Sequence, residues 1–163
     1  LSELMGGQGR RLLLSEHEES SGAAMFKRAC QVGIEGIVSK RADAAYVSGR
    51  SDSWTKVTCR KRETFIVAGL AYNKRKFEGI YLARPDDMSY AGKVEHGFTE
   101  DARRDLERRA SGIGVRTTAL STKVSKPKAR WLKPEILVDV EYRALTGEGK
   151  LRHPSFKGLR EDL

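Results

Sequence analysis

The pattern of apolar and polar positions changes character near residue 60. Ahead of that point, residues 11–16 are a short apolar run that predicts a buried strand. Ser20-Ser21-Gly22 offers a helix start. Over residues 23–32, Met25, Phe26, Ala29, Cys30 and Val32 gather mainly on one helical face, and Gly33 suits the stop. Residues 35–40 read as a strand with a carboxylate at one end, a cation at the other and an apolar middle. Residues 54–59 alternate, so that Trp54, Lys56 and Thr58 share one face and Thr55, Val57 and Cys59 the other. The segment between them, residues 42–53, is rich in Ser, Gly and Asp and reads as a loop.

Beyond Arg60-Lys61-Arg62 the texture becomes one of short strands and turns, which places a domain boundary at Lys61/Arg62. Residues 63–72 and 77–83 predict two strands around a basic turn, and residues 89–94 a third after a Pro-Asp turn. A helix follows. Thr99 is a good N-cap, Glu100 and Asp101 suit the first turn, Arg108 and Arg109 the last, and Ala102, Leu106 and Ala110 mark the inward face. Residues 114–133 lack apolar periodicity and carry several cations, as a functional or disordered loop does. Residues 136–145 alternate clearly, with Ile136, Val138, Val140 and Tyr142 on one face and Asp139, Glu141 and Arg143 on the other, before a Gly-rich turn into Leu151. Three strands, a helix and two more strands is the order of an OB-fold, a small five-stranded barrel that often binds nucleic acid.

Composition sharpens the choice of partner. The 163 residues hold 31 Lys and Arg against 22 Asp and Glu, a formal charge of +9. A basic surface favours a polyanion, because cations near phosphates release condensed counterions. Cys30 and Cys59 form no disulfide framework or zinc-ligand pattern, and His17, His96 and His153 are too scattered for a metal site. No signal-peptide pattern and no long apolar run is present, which predicts a cytoplasmic protein with no membrane partner.

Taken singly, residues 35–40 and 54–59 are ordinary hairpin strands. In this order they resemble motifs IV and V of the covalent nucleotidyltransferases, the superfamily of ATP-dependent DNA ligases, RNA ligases and capping enzymes. The resemblance implies that Glu35 is a metal-side carboxylate holding Mg2+, that Lys56 contacts the α-phosphate of ATP, and that Lys40 lies in the nucleotide site. Where the family has a second lysine two residues on, this sequence has Thr58, which can donate a hydrogen bond but carries no charge. The last stretch, with Arg152, Pro154, Phe156, Lys157, Arg160 and Asp162, is similar to the motif VI that DNA ligases carry on a C-terminal OB domain. It implies that Arg152, Lys157 and Arg160 bind nucleotide phosphates, with Arg160 meeting the departing pyrophosphate and Asp162 acting beside it.

Ser15-Glu16-His17, Gly22-Ala23-Ala24-Met25-Phe26, Gly49-Arg50-Ser51 and the run from Phe156 to Asp162 further resemble the ligase module of bacterial ligase D proteins. The fold this implies is mostly β with short helices. Residues 1–61 are then the last strands and one helix of an adenylation domain, and residues 62–163 an OB domain. The implied activity is repair sealing of nicked or broken double-stranded DNA through lysyl-adenylate and DNA-adenylate intermediates. The implied setting is the bacterial nucleoid, with an upstream adenylation half and end-joining proteins as partners. Lys123, Lys126, Lys128 and Arg130 are the candidate DNA-phosphate contacts. The family's nucleophile is a lysine in Lys-x-Asp-Gly, and this sequence contains no Asp-Gly dipeptide. Covalent catalysis needs its nucleophile, so this chain alone is expected to be inactive. The alternative reading is a non-catalytic OB module that grips nucleic acid by charge and aromatic contact.

Overall fold

A computed structural model of the protein describes residues 17–125 and 127–160. The run 11–16, Lys126 and Asp162 therefore lie outside the described residues. The chain forms two compact units, Leu1–Val57 and Thr58–Leu163, where the sequence pattern divides it at Lys61/Arg62.

In the first unit, helix α1 (Gly22–Gln31) packs on the strand β1 (Gly36–Lys40), which pairs with β2 (Trp54–Thr58). The helix ends as its sequence dictates. Gly33 takes a φ of +83°. Its N–H donates to Cys30 O at 3.2 Å and the N–H of Ile34 to Ala29 O at 2.9 Å, the paired bonds of a Schellman stop. Of the face expected to pack, Ala29 is buried and Met25 and Phe26 are half-buried, while Val32 is 74% exposed.

The second unit is a barrel around β3 (Lys61–Asn73), a strand long enough to serve two neighbours on one edge. Its first half pairs with β7 (Leu137–Tyr142) and its second half with β6 (Ala129–Trp131), while β4 (Lys76–Ala83) lies along the other edge. Thus β6 and β7 share one position of the barrel, interrupted near Pro134, whose missing N–H cannot join a ladder. The remaining positions are β5 (Tyr90–Val94) beside β4 and β10 (Ser155–Leu159) beside β7. Those are the five positions expected. A small ribbon, β8 (Ala144–Leu145) with β9 (Leu151–Arg152), sits between β7 and β10 in the chain. The barrel is drawn together where the N–H of Phe156 donates to His96 O at 2.9 Å. Gly97 permits that approach: a Cβ there would lie 2.4 Å from Phe156 O.

Alternation of side chains explains the core. Ile136, Val138, Val140 and Tyr142 are buried, as their period of two predicts, and they join Phe65, Val67, Leu70, Ile80 and Leu82 from the neighbouring strands. Helix α2 (Glu100–Arg109) contributes Leu106, with Ala110 at its end, to the same cluster. Its Thr99 Oγ1 accepts from the N–H of Ala102 at 3.2 Å, as an N-cap does. Two details were not legible beforehand. The β3–β4 hairpin turns through Lys74 and Arg75 at φ of +46° and +71°, a left-handed pair that normally calls for Asn-Gly. Residues 114–133 are also tied to the barrel partway along: the Ser121 N–H donates to Met88 O, the Tyr90 N–H to Thr122 Oγ1, and the Tyr72 N–H to Lys128 O.

Candidate functional site

Each unit carries its own group of candidate residues. In the first unit, Glu35 is half-buried immediately before β1, and Lys56 stands exposed in the middle of β2. Lys40 closes β1 with its ammonium 4.4 Å from the centre of the Trp54 ring. A cation on an indole face gains about 0.5–1 kcal/mol when exposed, and here it fixes the direction of Lys40. Tyr46 meets Trp54 edge-on at 6.3 Å. Together with Val47, Arg50, Ser51 and Asp52 these two rings line an open cleft. The loop holding it is shut by the Arg41 N–H on Ser53 O at 2.9 Å, by Arg41 on Asp43, and by a short contact between the hydroxyls of Ser51 and Ser53. Arg41 depresses the Asp43 carboxyl below its ordinary value.

Among the described residues no three His, Cys, Asp or Glu side chains gather as a metal centre. Glu35 offers one carboxylate. That donor set fits a magnesium ion held jointly with substrate phosphates, the usual mode for this ion, and not a cage built from protein alone.

In the second unit the strand β10 positions Lys157 and Arg160. Its register against β7 slips between Phe156 and Gly158, so Lys157 sits in a β-bulge. The extra residue resets the alternation. Phe156 is buried and Leu159, three residues on, also packs on the core. Lys157 and Arg160 then reach one outer surface, where Asp139 and Glu141 of β7 stand. Lys157 Nζ lies 3.6 Å from Glu141, and Arg160 3.7 Å from Asp139. The same carboxylates receive Arg60 at 2.5 Å, Arg62 at 3.0 Å and Thr64 Oγ1 at 2.9 Å. Arg60, then Lys157, hold the Glu141 carboxyl below its ordinary value. Nearby, the Tyr142 hydroxyl donates to Glu63 at 2.5 Å. Burial first, then this carboxylate, push the phenol well above its usual range.

The remaining candidates are spread. Arg152 lies exposed on β9, where its backbone pairs with Ala144. Lys123 and Lys128 are exposed. Arg130, within β6, donates to Ala110 O at 3.2 Å. It thereby caps the carbonyl end of α2, where a cation also complements the helix dipole. Sequence reasoning missed Arg60 and Arg62 as members of the Asp139–Glu141 surface. The available signal was the outward phase of the two acids in an alternating strand. What it lacked was the partner strand.

Comparison with known proteins gives the family. Residues 73–163 match the ATP dependent DNA ligase C terminal region. The chain belongs to that family. It is 37% identical over 152 residues to the multifunctional non-homologous end joining protein LigD of Pseudomonas aeruginosa, covering 85% of this chain and 18% of that protein. It is 31% identical over 146 residues to the SPbeta prophage-derived DNA ligase-like protein LigB of Bacillus subtilis, covering 89% of this chain and 48% of that protein. Among solved structures, the ligase domain of M. tuberculosis LigD aligns with a TM-score of 0.61 at 25% identity, over 93% of this chain and 52% of that one. The ligase chain thus spans about a fifth of the LigD relatives' length. The fold and the ligase kinship expected from the sequence are both met. No helix among the described residues is long and apolar enough to cross a membrane.

Proposed function

We propose that this chain is the C-terminal portion of an ATP-dependent DNA ligase that seals nicks or broken ends in double-stranded DNA during repair. The observation that carries the reading is the family match over residues 73–163, which includes the bulged strand presenting Lys157 and Arg160. Cations held on rigid strands do the work such a reaction asks of a protein, stabilising phosphate charge without reorganising. On this reading Lys56 binds the α-phosphate and Lys40 the nucleotide in the first unit, while in the second unit Arg152 and Lys157 bind nucleotide phosphates. Arg160 meets the leaving pyrophosphate, and Asp162 is a further catalytic residue. Glu35 would hold magnesium, which neutralises phosphate charge when bound. Lys123, Lys126, Lys128 and Arg130 grip DNA phosphates. The missing partner is an upstream nucleotidyltransferase half that supplies the lysine nucleophile, and end-joining proteins in the bacterial nucleoid are the setting.

Two measurements test this. This chain alone, incubated with labelled ATP and magnesium, is expected to form no covalent adenylate. Joined to an upstream half carrying Lys-x-Asp-Gly, it should restore nick sealing, and Lys56→Ala or Arg160→Ala should each slow sealing by about 10²-fold, the scale of one lost charge-stabilising donor. Sealing that tolerates both substitutions would refute the assigned roles.

A further inference from the structure

The strand β10 is interrupted by the bulge at Lys157 and ends at Leu159, just before Arg160. The backbone of Arg160 is nonetheless held from two elements. Its N–H donates to Leu137 O of β7 at 2.9 Å. Its carbonyl accepts from Nη1 of Arg109, the last residue of α2, at 3.2 Å. Peptide groups are planar, so the first bond orients the peptide before the Arg160 Cα and the second the peptide after it. With both planes oriented, φ and ψ are fixed, and so is the direction in which the side chain leaves the backbone. The hold on the carbonyl comes from a rigid element, as precise placement requires. Helix α2 packs on β10 and is anchored at this end by Leu106 and Ala110, both fully buried, while Arg130 donates to Ala110 O. The Arg109 Nε donates to Asp105 at 3.1 Å, one turn back along the helix. A guanidinium carries its donors in a fixed plane, so Asp105 aims Arg109 and Arg109 in turn aims Arg160. An ion pair that served the helix alone would have no use for a carbonyl 51 residues further along the chain.

We propose that Arg109 is a positioning residue that orients Arg160 toward the departing pyrophosphate. The proposal rests on the reading of Arg160 given above. In adenylate formation the lysine nitrogen of the upstream half loses its proton and bonds to the α-phosphorus of ATP. The bond from that phosphorus to the bridging oxygen breaks, and pyrophosphate leaves with the electron pair. Sealing has a different leaving group: the 3′-hydroxyl of the nick attacks the adenylated 5′-phosphate and AMP departs. Arg109 therefore serves the step that releases pyrophosphate and is idle in the step that closes the nick. Its effect runs through Arg160, since a misaimed cation loses most where charge develops on a leaving group.

The test uses this chain joined to an upstream half that carries Lys-x-Asp-Gly. Two single-turnover rates are measured: adenylate formation from ATP, and sealing of a nick whose 5′-phosphate is already adenylated. Arg109→Gln is expected to slow adenylate formation about three- to tenfold, the scale of one hydrogen bond, and to leave sealing unchanged. In an Arg160→Gln background the same substitution should add no further slowing. In residues 1–163, Arg109→Gln should also move the carbonyl carbon resonance of Arg160, which reports that hydrogen bond directly. Equal slowing of both reactions, or an undiminished effect in the Arg160→Gln background, would make Arg109 a support of the barrel and overturn the proposal. So would an unmoved carbonyl resonance, or normal adenylate formation by Arg109→Gln where Arg160→Gln is slow; the role of Arg160 would then stand without it. If Arg160→Gln itself forms adenylate at the wild-type rate, the pyrophosphate reading of Arg160 falls and this proposal with it.

Discussion

The two units of this ligase chain spend their apolar residues differently. In the second unit the strands and α2 close on one another, and the core from Phe65 to Phe156 excludes water. In the first unit Ala29 is the buried hydrophobic residue among those described, while Val32, Ile34, Val38, Tyr46, Val47 and Trp54 are all well exposed. Tyr46 at 78% and Trp54 at 51% exposure are large rings that a completed fold would ordinarily cover. Both units have correct local grammar: the Schellman stop after α1 is as well formed as the N-cap of α2. The difference teaches that well-formed elements are not yet a domain. Closure of a barrel removes a sheet's edges and buries one whole face, and the ribbon and helix among the first unit's described residues do neither by themselves.

The largest test breaks the comparison outright. A polypeptide of residues 58–163 is expected to unfold in one cooperative step in urea, and residues 1–57 to give no transition. A cooperative transition from 1–57 would show a core that the exposures above deny. Within the intact chain, Phe65→Ala should cost about 3–5 kcal/mol because it empties a fully buried site. Trp54→Ala, half open to water, should stay within about 1 kcal/mol, chiefly the loss of the Lys40 contact. Equal costs at both positions would erase the distinction between the units.

A smaller effect sharpens the picture of the barrel. Replacing Lys74-Arg75 by Asn-Gly supplies residues suited to two left-handed positions, and should stabilise the second unit by about 1 kcal/mol in denaturant. No gain would mean that the turn's geometry costs the wild type nothing. The smallest expected effect concerns acid. Arg60 lowers the folded-state pKa of Glu141, so this group's contribution is present above the ordinary carboxylate pKa. It is lost as pH falls through the depressed folded value. Glu141→Gln should therefore flatten the acid limb of the stability profile and leave its neutral-to-basic limb unchanged in shape. A steeper acid limb would contradict the pairing.

Much of the barrel could be read directly from residue order. Alternation from Ile136 to Tyr142, the Thr99 cap and the Leu106 face are short-range signals, and each depends on a period or a cap that local chemistry dictates. The boundary of β3 was harder, because Lys61 and Arg62 look like a charged linker. They belong to the sheet through β7, which lies far along the chain. The turn at Lys74-Arg75 was legible as a turn, but its left-handed backbone was not, since neither residue asks for it.

The candidate site divides along the same line. Residue type and order by themselves determined the ligase kinship, and resemblance to the family's motifs singled out Lys56, Lys157 and Arg160 as candidates, cations being what phosphate charge calls for. Only the tertiary structure decided which acids Lys157 and Arg160 meet. A bulge at Lys157 cannot be seen in a run of residues, since it exists only relative to the strand opposite. Arg130 shows the same limit: it looks like one more loop cation, yet it caps a helix whose last carbonyls lie twenty residues earlier. Local periodicity is written in neighbours along the chain. Ion pairing across a barrel is written in register, and register is a property of two strands at once.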